Sequence, residues 1–155
     1  MGHNVTGFIV PAPKAQEVFN AFTSATLRFA PLGQGMVLFP LTDELLEVLF
    51  EASSCPFAEF VHLNADLTNL LMRLSTSSPI LYFETDYHGG VGGQSAILFR
   101  GGHVVFGPEH HFGTKLPNLT PISEALELMG IGSTDVDAFE AVGLSKHRNT
   151  EDWLD

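Results

Sequence analysis

Two closely spaced carboxylates, Glu84 and Asp86, and four of the seven histidines lie in one glycine-rich stretch of the chain, residues 82–112. Glu84 and Asp86 are two positions apart, so they share one face if this stretch is a β-strand. Neighbouring carboxylates can serve as an acid–base pair or bind a hard metal ion. The alternative is that both residues belong to the solvent-facing side of an antiparallel strand. In either case this strand is the first candidate for a functional surface.

The histidines of the same stretch suggest a second kind of chemistry, because imidazole and carboxylate together bind zinc, iron, manganese or nickel. An alternative prediction is therefore a metal-dependent hydrolase or a metal-binding protein, with Glu84 as general base. Its candidate ligands are Asp86, His88, His103, His110 and His111. Their spacing matches no zinc signature such as HExxH, so our first expectation is that the protein binds no metal and no other cofactor.

The glycine-rich loop at residues 88–94, HGGVGGQ, leads from one predicted strand into another. A dinucleotide-binding loop leads into a helix and has the spacing GxGxxG, so neither condition is met here. Glycines between strands favour a wide hairpin loop or a bulge, or they allow a partner's backbone to approach closely. The second alternative predicts a partner-binding surface without catalytic residues. Its members are Glu84, Asp86, Tyr87, His88, Gly89, Gly90 and Gln94.

The chain is acidic, with 18 acidic and 7 basic residues and a net charge of −11. Such a surface repels nucleic-acid phosphates and anionic membranes, and no apolar run reaches the length of a membrane span. We therefore expect neither partner, whereas a basic protein would be steered towards this surface. Cys55 is the single cysteine, which excludes an intramolecular disulfide and favours a reducing cytosol.

The elements that position these residues follow from the spacing of apolar side chains. Strand-like runs occur at residues 5–10, 36–41, 80–87, 95–100 and 103–106, and residues 107–118 are expected to form a loop. Gly101 and Gly102 suit the two-residue hairpin between the last two strands. Helical spacing occurs in the segments between and after these runs. The predicted helix caps are Thr42, Asn64, Thr120 and Thr134.

This order of elements predicts an α+β fold, in which a mainly antiparallel sheet has a central β-meander at about residues 80–106 and helices packed on one face. We expect one domain over residues 1–155, with a polar C-terminal tail at residues 145–155. Trp153 and Leu154 could anchor this tail on the domain. A homo-oligomer could form if a second copy docks on the uncovered sheet face or on the tail.

Residues 80–87 (ILYFETDY) and 89–96 (GGVGGQSA) carry a resemblance to known proteins. They resemble a family of small uncharacterised bacterial proteins in which an ETDYxGGxGxQxA strand–loop–strand precedes an amphipathic helix. Residues 139–144 and 147–153 resemble the C-terminal ends of the same family, so the likeness covers most of the chain. It implies no activity. In size, acidity and architecture alone, the chain is also similar to the immunity proteins that neutralise bacterial toxins.

Together these observations favour a cytosolic bacterial protein that acts as a non-enzymatic protein-binding module. An immunity-type inhibitor is one form that such a module could take. The partner would be basic if charge steers it to the surface around Glu84 and Asp86.

Overall fold

The computed structural model describes residues 2–22, 27–49, 55–88, 91–113, 119–132 and 136–154. Within these ranges the sheet has six strands, and every strand pair is antiparallel. The strands are β1 (Thr6–Pro11), β2 (Ala30–Pro31), β3 (Met36–Pro40), β4 (Ile80–His88), β5 (Val91–Arg100) and β6 (His103–Gly113). Their order across the sheet is β2-β3-β1-β4-β5-β6, which confirms an α+β fold with a meander of β4, β5 and β6.

The helices cover both faces of this sheet. They are α1 (Ala15–Ala21), α2 (Asp43–Leu49), α3 (Ala65–Leu74), α4 (Pro121–Leu128) and α5 (Ala138–Val142). One core joins α1, α2 and α3 to the sheet face that carries Phe8 and Tyr82, and the other joins α4 and α5 to the face that carries Ile9 and Phe83. The expectation that helices pack on one face is therefore wrong. The reason is that the central strands are apolar at successive positions, so both of their faces need cover.

The helix caps follow the predicted chemistry where the structure describes them. The Asn64 side chain accepts a hydrogen bond from the Leu67 amide at 2.8 Å, and the Thr120 hydroxyl accepts one from the Ser123 amide at 3.3 Å. Pro121 follows Thr120 at the first helical position of α4, where its missing N–H costs nothing. The predicted cap Thr134 lies outside the described residues, and Asp137 is the residue that caps α5.

The meander strands are longer than the sequence predicts. Residues 107–113, which we expected to belong to a loop, continue β6, while residues 114–118 lie outside the described residues. Gly107 and Pro108 suggested a break because proline cannot donate to a strand ladder. A shift in the β5–β6 register between Ala96 and Leu98 accommodates them instead, and pairing resumes at Glu109. The predicted Gly101–Gly102 hairpin is confirmed, with φ angles of 64° and 81°.

The C-terminal segment packs on the chain's own N-terminal residues. Asn4 and Asn149 form a parallel bridge, and the Thr6 amide donates to the Thr150 hydroxyl at 3.0 Å. Trp153 is 6% exposed and belongs to the core beneath α4 and α5, which confirms it as an anchor of the tail. None of the helices in the described ranges is both long and apolar enough to cross a membrane.

His3 links β4 to the C-terminal segment. Its Nδ1 lies 2.7 Å from the Thr85 hydroxyl and its Nε2 lies 3.1 Å from the Leu144 carbonyl oxygen. Burial lowers the pKa of His3 below its ordinary value; the bond to Leu144 partly opposes this effect, and the positive charge of Arg148 adds to it. The neutral imidazole is therefore the form that fits the folded protein.

We predict that Trp153→Ala lowers the free energy of unfolding by about 3–5 kcal/mol, because it leaves a cavity in a closed core. Trp153→Phe is the matched control, since phenylalanine keeps much of the packing. This substitution also removes the indole N–H, which is buried and has no hydrogen-bond partner among the described residues. Trp153→Phe should therefore lower the free energy of unfolding by less than about 1.5 kcal/mol. Urea denaturation measures both changes, and equal losses in the two variants would contradict the packing argument.

We also predict that His3 contributes stability above about pH 6.5 and that this contribution is lost as the pH falls. Because its folded pKa is lowered, the unfolded chain binds the proton more readily, so acid favours unfolding. The difference in unfolding free energy between the wild type and His3→Gln should therefore be larger at about pH 7.5 than at about pH 5. Urea titrations at the two pH values test this, and an unchanged difference would refute it.

Candidate functional site

A cleft of about 400 Å³ lies where the ends of three meander strands meet three loops. Residues 84–86 of β4, 93–95 of β5 and the side chains of His110 and Phe112 of β6 form its floor. Residues 41–43, 59, 61, 62 and 149–151 form its walls. The cleft is thus built from segments that are far apart in sequence, and it contains part of the surface that the sequence predicts.

Three polar side chains lie in one row across the floor of this cleft. Glu84 pairs with Ser95, and Ser95 pairs with His110, in the registers of β4–β5 and β5–β6. Residues directly opposite each other on neighbouring strands point to the same face of a sheet. The next row contains Asp86, Gly93 and Phe112. Since Gly93 has no side chain, the middle of this second row is open.

The carboxylate of Glu84 anchors a wall of the cleft. One of its oxygens accepts a hydrogen bond from the Val61 amide at 2.8 Å. The other accepts bonds from the His62 amide at 2.8 Å and from the Tyr82 hydroxyl at 2.6 Å. Glu84 is only 8% exposed, so the interpretation that it belongs to a solvent face is wrong. The reason is that residues 60–62 fold over this end of β4 and exclude water from it.

The negative charge of Glu84 also acts on two neighbouring groups. Burial, strengthened by this charge and by the hydrogen bond to it, raises the pKa of Tyr82 well above its ordinary value. Tyr82 therefore keeps its proton and donates a hydrogen bond to Glu84. Partial burial and the same charge raise the pKa of Cys55, whose thiol donates to the Val61 carbonyl oxygen at 3.3 Å. A raised pKa leaves Cys55 a poor nucleophile.

Ser95 holds the same wall at a second point. Its hydroxyl donates to the Glu59 carbonyl oxygen at 2.7 Å, and it lies 2.7 Å from Nδ1 of His110. A hydroxyl has only one proton to donate, and Ser95 uses it in the hydrogen bond to the Glu59 carbonyl oxygen. In the bond between Ser95 and His110, Nδ1 of His110 must therefore be the donor. In the neutral form of the His110 imidazole the lone pair is then on Nε2, and no described residue donates a hydrogen bond to it.

The lining of the cleft is acidic. Its carboxylates are Asp43, Glu59, Glu84, Asp86 and Glu151, and none of the described lining residues is a lysine or arginine. Two of these carboxylates have histidine neighbours: Asp86 lies 2.8 Å from His88, and Asp43 lies 3.7 Å from His62. Apart from the histidines, no described lining residue can carry a positive charge, so the charge of the lining favours a cationic ligand.

The predicted surface residues divide between the two faces of the sheet. Glu84, Asp86 and His88 lie on the cleft face, whereas the side chains of Tyr87 and Gln94 bond to each other at 3.1 Å on the α4 face. The Gln94 side-chain oxygen accepts from the Ile122 amide at 2.8 Å, which ties β5 to the start of α4. Burial raises the pKa of Tyr87, and the bond from Gln94 opposes this. Gly89 and Gly90 lie outside the described residues.

The five candidate metal ligands are not brought together. Asp86 and His88 are neighbours, but His103 lies at the opposite end of β6, and His110 bonds to Ser95. His111 pairs with Gln94, so it lies on the α4 face. Over the described parts of the chain, no group of three or more histidine, cysteine or acidic side chains is arranged to bind a metal ion.

Several residues of the cleft were not predicted from the sequence, namely Thr6, Glu59, Ser95 and the segment 149–151. Ser95 could have been found from the pairing of β4 with β5, since that register places it beside Glu84, and the pairing of β5 with β6 then places His110 beside Ser95. The glycines on both sides of Val91 hid this register, because they fit hairpin loops of several lengths. Thr6 and Glu59 have no local sequence signal.

No protein-family model, curated protein or solved structure matches this chain. The family resemblance of residues 80–96 therefore stays a prediction, and function must be argued from the geometry of the cleft.

We predict that Glu84→Gln lowers the free energy of unfolding by about 1–3 kcal/mol, because the Val61 and His62 amides donate to different carboxylate oxygens and glutamine keeps only one of these as an acceptor. Hydrogen exchange at these two amides should accelerate accordingly. Asp86→Asn is the matched control, since Asp86 is exposed on the same face of the same strand. It should change stability by less than about 0.5 kcal/mol. Urea denaturation and amide exchange measure both variants, and similar effects in the two would contradict the anchoring role.

Proposed function

We propose that this protein is a non-enzymatic, protein-binding module of the bacterial cytosol, and that its cleft receives a basic side chain of a protein partner. The observation that carries the proposal is the lining of the cleft, which contains five carboxylates and, in the described residues, no lysine or arginine. A guanidinium or ammonium group would balance this charge and supply several hydrogen-bond donors.

The rim of the cleft supports a protein partner rather than a free cation. Val61 on one wall is 76% exposed, and Phe112 on the floor strand is 68% exposed. Exposed apolar side chains beside a charged cavity are typical of surfaces that a protein covers. A partner could therefore bury apolar area at the rim while its basic side chain enters the cleft.

The charge of the whole chain supports the same proposal. A net charge of −11 attracts a basic protein over a distance and raises the rate of encounter. Immunity-type inhibition is the form of this function that the size and acidity of the chain suggest, and a basic toxin would then be the partner. The metal-dependent alternative has less support, because its five candidate ligands do not lie together.

Titration of the labelled protein with N-acetyl-arginine amide, followed by NMR, tests the proposal. We expect weak, roughly millimolar binding that shifts the amides of residues 84–86 and 93–95, and weaker binding in about 1 M salt because salt screens the charges. N-acetyl-citrulline amide is the matched ligand, since it has nearly the same shape without the charge. Equal binding of the two ligands, or shifts elsewhere on the molecule, would overturn the proposal.

The double variant Glu59→Gln/Asp86→Asn should weaken arginine binding by at least about threefold, because it removes two of the cleft charges but leaves the Glu84 anchor in place. Glu127→Gln/Glu140→Gln removes the same number of charges from α4 and α5 on the other side of the sheet. This control should bind as the wild type does. Equal weakening in both would indicate a general effect of net charge and not a site.

A further inference from the structure

β6 forms one edge of the sheet, and its C-terminal half borders the cleft. It pairs with β5 alone, and no backbone hydrogen bond joins it to any other described element. An edge strand presents a row of backbone N–H and C=O groups that another strand can pair with. His110 and Phe112, which belong to this half, also line the cleft.

Pro108 limits the part of this edge that can accept another strand. Proline has no backbone N–H, and the β5–β6 register is irregular next to it, so an added strand cannot run evenly along the whole of β6. Residues 109–113 remain as a continuous segment beyond the proline. Five residues is an ordinary length for a strand.

We propose that the partner binds as an extended, basic segment that adds to residues 109–113 as a further strand of the sheet. The proposal rests on the proposed function, because it states how the partner that fills the acidic cleft is held. Backbone hydrogen bonds to β6 supply affinity, and the side chains of alternate residues supply specificity.

The alternation of β6 determines where those side chains point. His110 lies in the row of Ser95 and Glu84, so an added strand would continue this row. Every second residue of that strand would face the cleft, about 4.8 Å from β6. A basic side chain there can make a cation–π contact with the ring of Phe112. It can also donate an N–H hydrogen bond to the Nε2 lone pair of His110. The partner segment is therefore one with basic residues at alternate positions.

Charge favours a basic partner over a second copy of this chain on the same edge. Pairing of two β6 strands through residues 109–113 would bring two acidic clefts close together. Each copy carries a net charge of −11, and like charges at short range repel. A basic segment meets attraction at the same place.

Synthetic peptides of about ten residues with alternating arginine and threonine provide the probe. We expect such a peptide to slow exchange by about tenfold or more at saturation at those amides of residues 109–113 that point away from β5. Two further peptides of the same sequence are N-methylated, one at every arginine and the other at every threonine. Because alternate N–H groups of a strand point to opposite sides, one methylated peptide should bind about tenfold or more weakly and the other should bind normally.

The outcomes separate this proposal from the one on which it rests. If both methylated peptides bind like the parent, or if exchange slows elsewhere, strand addition is wrong although the acidic cleft stands. If N-acetyl-arginine amide binds in the cleft but no peptide binds, strand addition is again wrong. If neither binds, both proposals fall. A doubling of the mass of the free protein in solution, reversed by Phe112→Lys, would show that a second copy occupies the edge.

A variant on the protein side gives an independent check. Phe112→Ala should weaken binding of the arginine–threonine peptide by at least about threefold, since the cation–π contact is lost. Phe112 is mostly exposed, so the fold of the free protein should survive. Val105→Ala is the matched control, because Val105 is 48% exposed in the half of β6 before Pro108. Equal weakening in both variants would indicate that the peptide does not bind specifically at residues 109–113, which would contradict the proposal.

Discussion

The buried carboxylate of Glu84 is the constraint on which the cleft depends. Removing a charged carboxylate from water is costly unless donors replace the water, and here two backbone amides and a phenol do so. These donors come from residues 61, 62 and 82, so satisfying Glu84 also fixes the loop over the sheet. Ser95, on the neighbouring strand β5, holds the same loop through its hydrogen bond to the Glu59 carbonyl oxygen. The wall of the cleft is thus fixed by the hydrogen bonds of Glu84 and Ser95.

Because both faces of the sheet are covered, neighbouring residues in the most polar part of the sequence have different roles. Along β4, Glu84 and Asp86 serve the cleft, while Thr85 and Tyr87 serve the packing of the terminal segments and α4. Gln94 likewise uses its side chain to hold the start of α4 and not to contact a ligand. The polar residues that the sequence suggests as one surface therefore lie on two faces, and only the side chains on one face point towards the cleft.

Local sequence signals predicted much of the fold. The caps at Asn64 and Thr120, the hairpin at Gly101–Gly102 and the anchor Trp153 each follow from residues close together in the chain. The second helical layer and the role of Glu84 could not be predicted in this way. Alternation shows which residues share a face, but whether water or a loop covers that face depends on contacts such as those between β4 and residues 61 and 62. The exposed position of Asp86 could be predicted, because it depends on alternation alone.

The meeting of the two ends of the chain has a consequence for the order of folding. The Asn4 amide donates to the Arg148 carbonyl oxygen, the Thr150 amide donates to the Asn4 carbonyl oxygen, and Asn149 and Thr150 line the cleft. Contacts between residues this far apart in sequence close a very large loop, which makes them slow to form. During synthesis this wall of the cleft cannot be in place until residue 150 has left the ribosome. A nascent chain with a complete sheet would therefore still lack a finished cleft until residue 150 has been translated.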